Sequence, residues 1–65
     1  METPASLILD YIERHDMYKI EFCERCNIHR SSLDKYLKGH PIHPYWAKRI
    51  EIGTNREIKA SQLVK

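Results

Sequence analysis

The chain has 65 residues, 42% of them hydrophobic, with a formal net charge of +2 and two cysteines. A chain of this length makes one small domain that buries only about 60% of its unfolded surface. It leaves room for four or five short helices and hardly any for a catalytic cleft, so neither an enzyme nor a small-molecule substrate is expected. No apolar run approaches the ~18 residues of a membrane span, the start lacks a basic region followed by an apolar stretch, and two cysteines are too few for a secreted disulfide framework. These features predict a soluble, cytoplasmic protein without a membrane partner or cofactor. The charge is unevenly placed: residues 1–24 carry six acids against two bases, and residues 25–65 carry nine bases against three acids. A basic half lets a polar molecule orient itself on a polyanion, although scattered surface charge would give the same count.

In chain order, Thr3 and Pro4 open the first helix: a hydroxyl N-cap, then proline at N1, where its missing N–H is harmless. Leu7, Ile8, Tyr11 and Ile12 form its stripe, running to about His15. Asp16 is expected to cap a second helix that carries Lys19 to Arg25, with Phe22, Cys23 and Cys26 on its buried face. Asn27 stands where the chain must turn with φ > 0, a place its short amide tolerates after glycine. Ile28 plugs the corner. A third helix runs from His29 to Gly39, with Leu33, Tyr36 and Leu37 inward at i, i+3, i+4 and Arg30, Ser31, Asp34, Lys35 and Lys38 elsewhere on its surface. Two helices joined by a tight turn, the second offering Arg, Ser and Lys, read as a helix-turn-helix suited to the DNA major groove.

The connector HPIH follows, barred from helix by Pro41 and anchored by Ile42. Pro44 opens a fourth helix to about Gly53, with Trp46, Ala47 and Ile50 inward and Gly53, Thr54 and Asn55 as its stop. The tail 56–65 is expected to form a fifth helix from near Lys59, with a strand over 57–64 as the alternative. The fold class is therefore all-α: one compact domain, 1–65, of four to five helices.

Cys23-x2-Cys26 followed by His40-x2-His43 has the ligand order of a zinc finger. The histidine pair of a finger rides on a helix, whereas Pro41 and Pro44 place this one in a loop, and the cysteines fit a buried stripe as small hydrophobes. No metal is expected. A redox CxxC would want a strand before its helix.

The run CERCNIHRSSLDKYLKG followed by HPIHPYWAKRIEIGTN resembles the Cro and phage-repressor type of helix-turn-helix family, in particular the small Cro-like branch that includes YdaS-type proteins. The resemblance covers about Lys19 to Asn55. Its most specific part is the PYWAKRIE helix, since a helix-turn-helix alone is a common pattern. Two positions depart from the family pattern: Cys23 stands where alanine or another small residue is usual, and His29 where serine or threonine caps the recognition helix.

The resemblance implies a transcriptional regulator, a repressor that binds double-stranded DNA as a dimer on a pseudo-palindromic operator. Arg30, Ser31, Asp34 and Lys35 would then face base edges, with Arg30 fitted to the O6/N7 edge of a guanine. Ser31 reads ambiguously because a hydroxyl both donates and accepts. Asp34 has an equally good explanation as an ion pair with Lys38 at i+4. Lys19, His29, Ser32, Lys38, His40, His43 and Tyr45 would approach the DNA backbone, or simply be solvated. Tyr36 and Trp46 fall at core spacing and are read as buried rather than base-stacking.

One recognition helix reads too few base pairs for useful specificity, so two copies are expected, joined weakly when free and more strongly on DNA. Ile52, Ile58, Leu63 and Val64 are the apolar candidates for that dimer contact, each able to serve the core instead. The alternative function is an antitoxin-like protein-interaction module on the same fold.

Overall fold

A computed structural model describes residues 3–64 of the chain. It contains α1 (Pro4–Arg14), α2 (Lys19–Cys26), α3 (Arg30–Leu37), α4 (Pro44–Gly53) and α5 (Ala60–Leu63), with no strand among the described residues. The tail therefore takes the helical course. Lys59 N–H donates to Gln62 Oε1 at 2.9 Å, which satisfies one of the donors left free at the start of α5.

Four of the five helices end by one device. After α1, α2, α3 and α4 the chain passes through a positive-φ position: Asp16 (φ 48°), Asn27 (φ 54°), Gly39 (φ 98°) and Asn55 (φ 54°). In each case the next amide reaches back over the last turn: Met17 to Ile12 O, Ile28 to Cys23 O, His40 to Lys35 O and Arg56 to Glu51 O, at 2.8–3.1 Å. These are Schellman closures, which use up carbonyls that a helix end otherwise leaves unpaired. The device corrects one sequence expectation. Asp16 does not cap α2, because its backbone serves the end of α1; the N-cap of α2 is Tyr18, whose N–H donates to Glu21 Oε1 at 3.2 Å. α4 ends at Gly53 as expected, and the positive-φ residue that closes it is Asn55.

The starts follow the expected chemistry. Thr3 and Ser6 exchange bonds across the first turn of α1, Ser6 N–H to Thr3 Oγ1 at 3.1 Å and Thr3 N–H to Ser6 Oγ at 2.9 Å. Pro4 and Pro44 hold the first helical position of α1 and α4.

The core gathers Ile8, Tyr11, Ile12, Phe22, Cys23, Cys26, Ile28, Leu33, Tyr36, Ile42, Ala47, Ile50, Ile58 and Leu63. α1 packs on α3, α2 on both α3 and α4, and α4 on α5. Ile28 and Ile42 seal the two loops, as expected, while Trp46 is only partly buried against the core. Ile58 and Leu63 are 2% and 3% exposed, so neither can form a dimer surface. In a chain this short the tail's apolar residues are needed to close the core. Val64 is half-buried against the same cluster, and of the four dimer candidates Ile52 alone stands well exposed, at 68%.

Two contacts hold α4 in place. Gly53 lies so close to α2 that a β-carbon there would come within 2.7 Å of Arg25 O, Cys26 Cα and Cys26 Sγ. Thr54, fully buried, donates its hydroxyl to Ile50 O at 2.8 Å and accepts the Ile58 amide at 3.3 Å, tying the end of α4 to the approach to α5.

Candidate nucleic-acid interface

The helix-turn-helix is built by α2, the Asn27 turn and α3. Leu33 and Tyr36 seat α3 in the core at 0% and 7% exposure, and Leu37 is half-buried. With those three fixed inward, helical spacing turns Ser31, Lys35 and Lys38 outward together, with Arg30 and Asp34 on the flank nearer α2. All five are exposed. Asp34 makes no ion pair with Lys38 among the described residues. Instead Asp34 and Arg30 lie close enough to Cys23 to act on its thiol in opposite senses, the acid raising and the base lowering its pKa, both weaker than the upward push of burial.

The imidazole of His29 caps α3. Its Nδ1 accepts the Ser31 amide at 3.1 Å and lies 2.8 Å from Ser31 Oγ. An amide can only donate, so Nδ1 carries a lone pair and the neutral ring holds its proton on Nε2. Ser31 must then donate its hydroxyl proton to the same nitrogen. The sequence leaves Ser31 free to donate or accept; the fold leaves it an acceptor. α4 begins the same way, with His43 Nδ1 accepting the Tyr45 amide at 3.1 Å. Histidine thus replaces serine or threonine at both caps, with an aromatic nitrogen as acceptor in place of a hydroxyl oxygen.

The backbone candidates fall into separate groups. Lys19 stands exposed at the first position of α2 and His29 exposed at the start of α3. Lys38 and His40 line a concavity of about 550 Å³ at the far end of α3, shared with Thr3, Leu37 and Val64. Tyr45 belongs with Asn27, across the α2–α4 junction. Ser32 is the exception. It is half-buried beside the Tyr36 hydroxyl, whose pKa is raised by burial against a smaller lowering from that serine, so it is a poor backbone ligand.

Arg49 has no role in the sequence reading, yet it joins the turn to α4. Its Nη1 donates to Asn27 O at 3.2 Å, its Nη2 donates to the Tyr45 hydroxyl at 2.6 Å, and its Cζ lies 5.0 Å from the Tyr45 ring centre and 5.4 Å from that of Trp46. A guanidinium set against two aromatic rings and bonded to the carbonyl of a helix cap fixes the turn from outside the core. The only local signal is Tyr45 and Arg49 at i, i+4; the bond to Asn27 needs the tertiary fold.

The two cysteines lie apart in character from the histidine pair. Cys23 and Cys26 are 5% and 2% exposed, and burial pushes the Cys26 thiol up to about 12, whereas His40 and His43 are exposed in the loop. Among the described residues no helix is long and apolar enough to cross a membrane. Compared with known proteins, the chain matches no family model, no curated protein and no solved structure.

Proposed function

We propose that the protein is a sequence-specific regulator that binds double-stranded DNA through α3, of the Cro and phage-repressor type that its sequence resembles. The observation that carries this reading is the outer face of α3. Arg30, Ser31, Lys35 and Lys38 are exposed on a helix whose inner side is anchored by Leu33 and Tyr36 and whose entry is held by the Asn27 turn. None of the three cations makes an ion pair among the described residues, so their charge is available to a polyanion.

Arg30 would take the O6/N7 edge of a guanine. With its proton committed to His29, Ser31 would accept from an adenine N6 or cytosine N4 amine and would disfavour a guanine or thymine acceptor at that step. Lys35 would read a second guanine or meet a phosphate. Lys38, His40, His43, Lys19 and Tyr45 would contact the backbone, positioning α3 without reading sequence.

One α3 covers about 4–5 base pairs, so two copies would occupy neighbouring half-sites. The pseudo-palindromic operator is what the resemblance implies; of the apolar candidates for the contact between copies, Ile58 and Leu63 lie in the core and Ile52 is exposed, and the selected sites themselves will give the order of the half-sites.

Selection from random duplexes with the purified protein tests the reading. A shared motif should emerge, and Arg30→Ala should relax one base position at a cost of about 1–3 kcal/mol. Recovery of no motif, or of the same motif and affinity with Arg30→Ala, would overturn it.

A further inference from the structure

The junction of α2 and α4 carries a shallow cleft of about 400 Å³ lined by Arg25, Tyr45, Lys48, Arg49 and Ile52. At its edge Ile52 is 68% and Tyr45 53% exposed, an unusual pair of large apolar groups to leave open on so small a surface. Three cations surround them. The acid nearest along α4, Glu51, is turned elsewhere: it accepts the Ala60 amide at 2.7 Å and only skirts Lys48 at 3.8 Å. The cleft is also preordered, since Arg49 is already held by Asn27 and Tyr45.

The start of α2 has the opposite character. Tyr18 is 78% and Ile20 54% exposed, with Glu21 and Glu24 exposed on the same turn and a half of helix and Asp16 in the turn before it. Lys19 is the one cation among them. Neither Glu21 nor Glu24 makes an ion pair among the described residues, although Glu21 and Arg25 stand at i, i+4. The molecule therefore carries one apolar patch set in positive charge and another set in negative charge.

We propose that these two patches bind each other between copies, the acidic start of α2 of one chain entering the basic α2–α4 cleft of the next. A two-fold contact through either patch would set like charges together: Arg25, Lys48 and Arg49 against their own copies, or Glu21 and Glu24 against theirs. A contact between the two unlike patches pairs opposite charges while covering Ile52, Tyr45, Tyr18 and Ile20. Made head to tail, as proposed, it leaves an open patch at each end and builds short runs of copies, where a reciprocal two-fold pairing of the same patches would stop at two. The area offered by a domain 27 × 23 × 22 Å across is small, and the association is weak and sensitive to salt. It does not rest on the DNA reading, because it is measured on the free protein.

The test is sedimentation of the wild-type chain without DNA, over a range of concentration and salt, beside Ile52→Lys and Ile20→Glu. Both substitutions fall at exposed positions, remove an apolar anchor and keep the sign of their patch, and thermal unfolding checks that each variant folds. The wild type should pass the mass of two chains as concentration rises at low salt, and return towards one chain at high salt. Each variant alone should associate at least about tenfold more weakly. Mixed, they should recover a 1:1 pair, formed by the intact acidic patch of Ile52→Lys and the intact cleft of Ile20→Glu. A wild type that stays monomeric at low salt, a variant that still self-associates like the wild type, or a mixture that gains nothing would overturn the proposal. So would Ile52→Lys that leaves the free protein unchanged and tightens duplex binding, which would mark the cleft as a nucleic-acid surface.

Discussion

The α2–α4 junction and the outer face of α3 flank the same turn and use side chains in opposite ways. At the junction and the end of α4 the packed groups have structural roles: Gly53 has no room for a β-carbon, the Thr54 hydroxyl donates to Ile50 O and Glu51 O and accepts from the Ile58 amide, and Cys26 is 2% exposed. On α3 the side chains of Lys35 and Lys38 are exposed and make no hydrogen bond or ion pair among the described residues. A residue that the fold constrains says little about function, because packing already accounts for it. Cations on a face that packing leaves free have no such account, and that is why the functional reading rests on α3. The contrast can be broken by measurement, because substitutions in the packed junction should change stability alone and those on α3 should change binding alone.

Gly53→Ala should have the largest effect. The added methyl meets backbone atoms of α2 as well as Cys26 Sγ at 2.7 Å, and backbone cannot swing aside as a side chain can. A loss of about 3 kcal/mol or more is expected, read by denaturant unfolding, which a small domain can scarcely survive. Unchanged stability in the Gly53→Ala variant would show that α2 and α4 are not so closely crossed. Thr54→Val keeps the shape and removes the hydroxyl, leaving the Ile58 amide without its partner at a cost of about 2 kcal/mol.

The same junction predicts a pH dependence. Burial, with a smaller upward push from Cys23, raises the Cys26 thiol to about 12, against the usual value near 8.5. The folded state holds this proton more tightly than the unfolded chain does. Its contribution is therefore complete below about pH 8.5 and is lost progressively as pH rises towards 12. Unfolding midpoints should fall over that window, and Cys26→Ala, though less stable at neutral pH, should fall less steeply. On the acid side Glu51 acts in the reverse sense. Its bond from the Ala60 amide lowers its pKa, so its stabilising effect is present above the ordinary carboxylate range and fades as pH drops.

What can be read from the sequence divides along the same line. Thr3-Pro4, Asn27, Gly39 and Pro44 are legible because each answers a local backbone demand that few residues meet. Asp16 misleads for a local reason too: aspartate suits both an N-cap and a left-handed turn, and the choice depends on which helix needs it, α1 or α2. Ile58 and Leu63 are ambiguous between core and interface until the tail's path is known. The bond from Arg49 to the turn and the tight place of Gly53 exist only where α4 crosses α2, so no window of sequence contains them. On α3 the exposed face follows from helical spacing alone, whereas the commitment of Ser31 to His29 depends on how the capping ring is turned.

His29→Ala falls between the two regions, since His29 caps α3 and stands beside its reading face. Loss of the bond from the Ser31 amide should cost about 1 kcal/mol of stability. It also frees the Ser31 hydroxyl, so the base preference at that step should broaden towards acceptors. His29→Asn, which can restore the cap but holds its carbonyl differently, should recover stability more fully than preference. If both variants kept the preference of the wild type, Ser31 would not be reading a base through its lone pairs.

The smallest effect on folding, and the sharpest test of the contrast, belongs to Lys35→Ala and Lys38→Ala. Among the described residues neither lysine side chain makes a hydrogen bond or ion pair, and both are exposed, so each change should leave stability within about 0.5 kcal/mol. Binding should respond differently at the two positions. A lysine that meets only phosphate gives up about 0.9 in the slope of log affinity against log salt when it is removed, and weakens all duplexes alike. Lys38, at the end of α3 beside His40, should behave so. Lys35, one turn after Ser31 on the outward stripe, should also lose discrimination at one base pair if it reads a guanine, and should match Lys38 if it does not. Affinities for a selected and a scrambled duplex at several salt concentrations separate these cases. Salt slopes identical to the wild type for both variants would move DNA binding off α3 altogether, whatever the junction does to stability.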